Sequence, residues 1–170
     1  MRHGSGQVTT EVAIDVFGGL TVRWGNVERP IGGPRQRRLL ATLIVERDRV
    51  VSTARLAEAV WRGEDLPHAA DRTLQTYVSR LRNTLGEHAV AREHGGYRLK
   101  GAAVVVSSDR FIDAVRAAHS ARSGPAENWL TAVDAALALW RGQPYGDLSV
   151  EPFLVGEANR LADCANGPIG

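Results

Sequence analysis

One segment, Asp71–Leu85, constrains the fold of this chain most strongly. Its apolar residues recur at spacings of four, three and four, at Leu74, Val78, Leu81 and Leu85. At about 100° per residue these positions form one stripe of an amphipathic helix. After the opening Asp71, the opposite side carries only cations, hydroxyls and amides: Arg72, Thr76, Ser79, Arg80 and Asn83. Exposed helical faces normally mix both signs of charge, whereas these groups suit phosphates and base edges.

A hairpin is predicted directly after this helix. Its strands would be residues 90–93 and 97–100, with Gly95 and Gly96 supplying the turn and Tyr97 reaching the core. Before the basic helix, a short strand at residues 50–51 leads to a helix that Ser52 or Thr53 caps and that extends to Trp61. A helix, a turn, a second and basic helix, and then a hairpin are the parts of a winged helix-turn-helix.

A small antiparallel sheet is predicted at the start. Residues 12–16 and 20–24 alternate apolar with polar or small side chains, with a tight turn at Gly18-Gly19 and a third strand over 27–31. Asp15 is then an outward-facing strand residue. A helix follows from Pro34 to about Arg47. Its first turns carry Arg35, Arg37 and Arg38 against the helix dipole, which indicates either a nearby phosphate or a solvated basic turn.

The pattern becomes helical beyond a joint at residues 101–108. Three apolar stripes predict three helices: Phe111, Val115 and Ala118; Leu130, Val133, Leu137 and Trp140; and Leu154, Ala158 and Leu161. The first two helices resemble a tetratricopeptide-like pair, but no repeat of about 34 residues recurs. We therefore predict an α+β fold: a winged helix-turn-helix with an N-terminal antiparallel sheet over residues 10–100, then a small all-α tetratricopeptide-like segment over residues 107–165.

Charge is divided unequally between these two parts. Residues 1–100 carry 16 Lys and Arg against 11 Asp and Glu, whereas residues 101–170 carry 5 against 8. The basic part holds the predicted basic helix, which favours a polyanionic partner there. The lone Cys164 excludes an internal disulfide, so we expect a reducing cytoplasm. No apolar run is long enough to span a bilayer.

Residues 12–100 resemble the OmpR/PhoB-type winged-helix DNA-binding domain. More narrowly, Pro34–Leu43, Leu56–Trp61 and Gly95–Leu99 resemble segments of the Streptomyces antibiotic regulatory protein (SARP) family of transcriptional activators. From Phe111 onwards, with Ala136–Tyr145, the chain is similar to the start of that family's bacterial transcriptional activator domain, which we expect to be shortened here. The resemblance covers roughly residues 12–163.

The resemblance implies that the basic helix enters the DNA major groove and that the hairpin lies over the neighbouring minor groove. Carried over by position, the candidate DNA contacts are Arg72, Thr73, Thr76, Tyr77, Ser79, Arg80, Arg82, Arg92 and His94. Arg80 suits base readout and Arg72 a phosphate, while Arg82 either reaches DNA or packs its stem on the domain. His94 is either a DNA contact or a plain polar residue of the turn.

The hairpin departs from related winged helices at one position. Where several of them have a cation just before the turn, this chain has Glu93, whose charge repels phosphate. Minor-groove insertion therefore depends on Arg92, His94 and Arg98 to compensate for that carboxylate.

Three functions are compatible with these features to different degrees. The leading hypothesis is a sequence-specific binder of double-stranded DNA that activates transcription, recruits RNA polymerase by family resemblance, and can form a homodimer on DNA. The alternative is a protein-interaction module or truncated competitor that acts through apolar stripes around Leu137, Trp140 and Leu161. An enzyme is not expected, because phosphate loops, metal-ligand spacings and nucleophile elbows are absent from the sequence. Accordingly we expect no cofactor, no metal and no membrane partner.

Overall fold

The N-terminal sheet has four strands rather than the three predicted. The computed structural model describes residues 11–166, so residue 10 of the predicted first domain lies outside the described part. Strands β1 (Val12–Asp15), β2 (Thr21–Trp24) and β3 (Val27–Arg29) form an antiparallel meander. A further strand, β7 (Val105–Val106), pairs in parallel with β1. The strand order in this sheet is β3-β2-β1-β7. Part of the segment predicted to join the two domains, residues 101–108, therefore forms the fourth strand.

The connection between β1 and β2 is longer than the tight turn predicted at Gly18-Gly19. The strands end at Asp15 and resume at Thr21, and Phe17 forms a β-bridge with Pro144 of a distant loop. A Cβ on Gly18, where φ is +77°, would lie 3.1 Å from the carbonyl oxygen of Arg141. Within the five-residue connection that closes the β1–β2 hairpin, Gly18 therefore allows close approach of a second loop.

The next elements form the predicted winged helix. They are α1 (Pro34–Val45), β4 (Val51–Ser52), α2 (Thr53–Trp61), α3 (Ala70–Leu85), β5 (Val90–Glu93) and β6 (Gly96–Leu99). Ser52 caps α2, because its Oγ accepts a hydrogen bond of 3.2 Å from the amide of Arg55. The wing is a three-stranded sheet in the order β4-β6-β5.

Three helices follow: α4 (Ser107–Ala121), α5 (Ala126–Leu139) and α6 (Pro152–Asn166). Helices α4 and α5 pack against each other as a pair, and α6 packs on both α4 and α1. The predicted core stripes of α4 and α6 are buried. None of the helices over residues 11–166 has the length and apolar character needed to cross a membrane.

The predicted register of α5 is wrong. Val133 and Ala136 form its buried stripe, while Leu130 and Leu137 are about half exposed. Trp140 lies against the aromatic rings of the core and Leu161 is fully buried. Of the three residues considered for a partner interface, only Leu137 therefore faces solvent.

The helical part and the winged helix share one hydrophobic core. Phe17 from the β1–β2 connection meets Phe111 of α4 and Trp140 after α5, with ring centroids 5.0 to 5.3 Å apart. Asp15 is not simply an outward strand residue. Its Oδ1 accepts a 2.9 Å hydrogen bond from the hydroxyl of Ser107, whose Oγ in turn accepts one from the amide of Val16. Aromatic packing and this polar network hold the two parts together.

Tyr145 lies in the loop before α6 and is fully buried, and its hydroxyl has no hydrogen-bond partner among the described residues. Burial raises the pKa of this phenol, and the charge of Glu157 adds to the effect. The folded state therefore keeps Tyr145 neutral at a pH at which the unfolded chain ionises it.

We predict that this tyrosine makes the chain less stable in alkali. Above about pH 10 the unfolded state loses the Tyr145 proton and the folded state does not, so stability falls by about 1.4 kcal/mol per pH unit. Tyr145→Phe should remove that contribution and cost little near neutral pH, because no hydrogen bond is lost. Urea unfolding of both proteins between pH 8 and pH 11 measures the difference. Parallel pH profiles would contradict the prediction.

Candidate nucleic-acid interface

Helix α3 is oriented by its apolar stripe. Leu74, Val78, Leu81 and Leu85 are each at most 2% exposed, as the periodicity predicts. The opposite face, with Arg72, Thr76, Ser79 and Arg80, is exposed, and Thr73 is half-buried. Gly86 ends the helix with a φ of +102°. Five of the nine candidate contact residues thus lie along one side of α3: Arg72, Thr73, Thr76, Ser79 and Arg80.

The hydroxyls on this face are held by the helix itself. Thr73 and Thr76 each donate a 3.1 Å hydrogen bond to the carbonyl oxygen four residues earlier, in Ala69 and Arg72. Their oxygen lone pairs and methyl groups stay available, which suits contacts with base edges, including a thymine methyl.

Tyr77 joins α3 to α2. Its ring stacks on Trp61 with a centroid distance of 6.4 Å and an interplanar angle of 28°, and the side chain is half-buried. It also lines an open groove beside α3 together with Arg35, Arg38, Glu64 and Arg80. Tyr77 therefore packs α3 against α2 and also lies at the edge of the exposed face of α3.

Arg82 ties α3 to the wing. Its Nε donates a 2.9 Å hydrogen bond to the carbonyl oxygen of Val90 on β5. The structure shows Arg82 packed on the wing, and its contact with DNA stays a prediction. The bond joins the last turn of α3 to the first strand of the wing hairpin.

The three arginines at the start of α1 have partners within the protein. Arg35 pairs with Glu64, which raises the pKa of the guanidinium chiefly through its hydrogen bond. Arg37 donates to the carbonyl oxygen of Leu20 at 3.0 Å. Arg38 pairs with Glu151 at 3.0 Å. Arg35 and Arg38 thus have carboxylate partners, whereas Arg37 is bonded only to a neutral carbonyl group. Contact of this turn with a phosphate stays a prediction.

By contrast, Arg72, Arg80 and Arg92 form no ion pair with any residue between 11 and 166. All three are exposed. A cation that has no carboxylate partner in the protein breaks no ion pair when it binds a phosphate. These arginines are thus the most available charges on α3 and the wing.

The wing contains a cationic partner for Glu93, the carboxylate that is expected to repel phosphate. Glu93 pairs with Arg98 across the hairpin, so its charge does not stand alone beside Arg92. His94 is exposed at the turn, next to Gly95 with a φ of +81°. Arg92 is therefore a cation of the wing without an ion-pair partner among residues 11–166.

Sequence reasoning missed two carboxylates that shape this surface, Glu64 and Glu151. Glu64 lies in the exposed loop of residues 62–69 between α2 and α3, and Glu151 directly precedes α6. Only the acidic pair Glu64-Asp65 facing a basic turn could have indicated the first. Within residues 11–166 no cluster of three metal-ligating side chains occurs.

Comparison with known proteins gives two family matches. Residues 29–99 match the model described as "Transcriptional regulatory protein, C terminal". Residues 106–165 match the model described as "Bacterial transcriptional activator domain". The two matches leave residues 100–105, which include the start of β7, between them.

Named relatives agree with these models. The chain is 34% identical over 157 residues to the transcriptional regulatory protein MoaR1 of Mycobacterium tuberculosis, covering 86% of this chain and 50% of that protein. It is 34% identical over 124 residues to the regulatory protein AfsR of Streptomyces griseus, covering 68% and 13%. The solved structure of M. tuberculosis EmbR in complex with a low affinity phosphopeptide superposes with a TM-score of 0.80 at 29% identity, covering 92% and 43%. The chain thus spans half or less of each of these relatives.

We predict that the wing does not tolerate a side chain at Gly96. A Cβ there would lie 2.0 Å from the carbonyl oxygen of Val51, a backbone atom of the neighbouring strand. Gly96→Ala should therefore separate β4 from β6 and destabilise the chain by about 1–3 kcal/mol.

Gly156→Ala is the matched control, because a Cβ at this exposed position in α6 meets nothing within 4 Å. It should stabilise the chain by about 0.5–1 kcal/mol through helix propensity. Urea unfolding measures both variants. Equal stability of the two would show that the wing is not packed as described.

Proposed function

This chain belongs to the Streptomyces antibiotic regulatory protein family of transcriptional regulators, and on that premise we propose that it binds specific sequences in double-stranded DNA and activates transcription from them. The observation that carries the proposal is the outer face of α3. Beyond Asp71 at its start, that face presents cations, hydroxyls and amides, and its two exposed arginines have no carboxylate partner in the described chain. Such a face fits a major groove in shape and in charge.

The two exposed arginines of α3 have different roles in this proposal. Arg80 lies in the middle of the exposed face, where a guanidinium can donate two hydrogen bonds to one guanine. Arg72 lies in the first turn, near the start of the helix, where it neutralises a phosphate. Thr73, Thr76, Tyr77 and Ser79 surround them, and Arg82 contributes by holding the wing. Arg92 and His94 contact the neighbouring stretch of backbone.

Two surfaces of this protein are available to contact another protein once DNA is bound. The loop of residues 62–69 is wholly exposed, and Leu66 retains 59% of its accessible surface. The helical part is acidic in net charge. We propose that RNA polymerase contacts these surfaces and that two copies of the chain bind adjacent DNA repeats in the cytoplasm. This part of the proposal rests on family analogy.

Two variants test whether Arg80 recognises a base while Arg72 binds a phosphate. The preferred site is first selected from a pool of random duplexes, and affinity is then measured by fluorescence anisotropy. Arg80→Ala should cost about 1–3 kcal/mol on that site and relax the preference at one base pair. Arg72→Ala should weaken binding to all sequences alike and reduce the slope of log affinity against log salt by about one unit.

Arg116→Ala is the matched control, since this exposed arginine on α4 pairs with Asp113 of the same helix and with no other residue between 11 and 166. It removes one positive charge and should change neither affinity nor salt dependence appreciably. Selection of no preferred sequence by the wild-type chain would contradict specific binding. The same loss in all three variants would contradict the roles assigned to Arg72 and Arg80.

A further inference from the structure

Glu151 is a buried carboxylate of the helical part whose partners both lie in the winged helix. It is 3% exposed. Its Oε1 accepts a 3.0 Å hydrogen bond from Nε of Arg38 on α1. Its Oε2 lies 3.0 Å from Nε of Arg62 at the end of α2, which is an ion pair without hydrogen-bond geometry, so this buried oxygen has no hydrogen-bond partner among the described residues. Its own backbone is fixed, because its carbonyl oxygen accepts the amides of Leu154 and Val155 in the first turn of α6.

The two arginines hold the end of α2. Arg38 also donates from Nη1 to the carbonyl oxygen of Val60 at 3.3 Å. Arg62 adopts a left-handed conformation, with a φ of +48°, and its amide donates to the carbonyl oxygen of Glu58 at 2.8 Å. A left-handed conformation is strained for a side chain such as arginine and persists only where its surroundings hold it. The ion pair with Glu151 supplies such a constraint.

Arg62 is also the first residue of the loop of residues 62–69, which leads into α3. All eight residues of that loop are exposed. Within the described chain, two ion pairs tether its side chains: Arg62 with Glu151, and Glu64 with Arg35. One of the two tethers of the loop that leads into α3 is thus a carboxylate of the helical part, far away in sequence.

There is room for the loop to change when this tether is lost. An open groove of about 470 Å³ lies beside the ion pair and is lined in part by Arg55, Glu58 and Phe153. A buried carboxylate such as that of Glu151 is costly unless cations pair with it, so its burial favours the conformation in which both arginines stay beside it. Without the carboxylate, the half-exposed side chain of Arg62 loses its ion-pair partner beside this groove.

We propose that Glu151 is a positioning residue for DNA binding. Through Arg62 it fixes the loop of residues 62–69 and the first turn of α3, so that the affinity of the winged helix for DNA depends on the helical part. The inference rests on the proposed DNA-binding function and adds to it a residue outside the DNA-contacting surface.

Amide hydrogen exchange and DNA affinity, measured on the same samples of the full chain, test this proposal. Glu151→Ala should raise exchange in residues 62–73 by at least about tenfold and weaken DNA binding by a similar factor, because local opening then competes with binding. Glu151→Gln removes the charge and keeps one acceptor oxygen, while its NH₂ group cannot accept from the second arginine, so it should give an intermediate effect. Arg62→Gln changes a half-exposed partner and should reproduce the loop effect if Glu151→Ala does not fold.

Glu157→Gln is the matched control, because this carboxylate of α6 pairs with Arg160 on its own helix. It should alter neither exchange in the loop nor affinity for DNA. Exchange that rises evenly over all helices in Glu151→Ala would show a merely structural role and overturn the proposal.

Failure of the inference and failure of the proposed function give different results. If the wild-type chain binds DNA, Arg80→Ala weakens it, and neither Glu151→Ala nor Arg62→Gln does, the positioning role of Glu151 is wrong while the DNA-binding function stands. If the wild-type chain binds no DNA at all, the proposed function fails and the positioning role fails with it.

Discussion

The burial of one side of α3 is the constraint on which the proposed DNA-binding surface depends. Three leucines and a valine in that stripe are almost completely removed from water, and each is worth about 1.5–3 kcal/mol when buried. Rotating the helix to present any other face would expose them. The outward direction of Arg72 and Arg80 is therefore set by the hydrophobic stripe, and the cations need no specific interaction of their own to point outward.

A second feature is that the winged helix does not have a hydrophobic core of its own. The aromatic cluster of Phe17, Phe111 and Trp140 makes the core continuous across both parts of the chain. Strand β7, although it follows the wing, completes the N-terminal sheet. Side-chain packing at this density transmits a change in one part to the other. The helical part is thus a structural component of the same folded unit as the winged helix.

The sequence predicted those features that have a local periodic signal. The stripe of α3, the cap at Ser52 and the wing strands all follow from spacing or turn chemistry and are confirmed. Features without such a signal were missed. β7 is only two residues long, and the partners Arg38 and Glu151 are 113 residues apart. The register of α5 was wrong because alanines on both sides of that helix leave little contrast between core and solvent faces. Among the candidate contacts, the packing of Tyr77 and Arg82 depends on neighbours that only the tertiary structure brings together.

The central claim, that the outer face of α3 lies against DNA, is tested most directly by photo-crosslinking from defined positions. The one cysteine of the chain, Cys164, is replaced by serine, and an azidophenacyl group is attached through Ser79→Cys on α3 or Ser120→Cys on α4, both exposed positions. Illumination with the selected duplex should crosslink DNA to position 79 and not to position 120. Equal crosslinking from both positions, or none from position 79, would contradict the account.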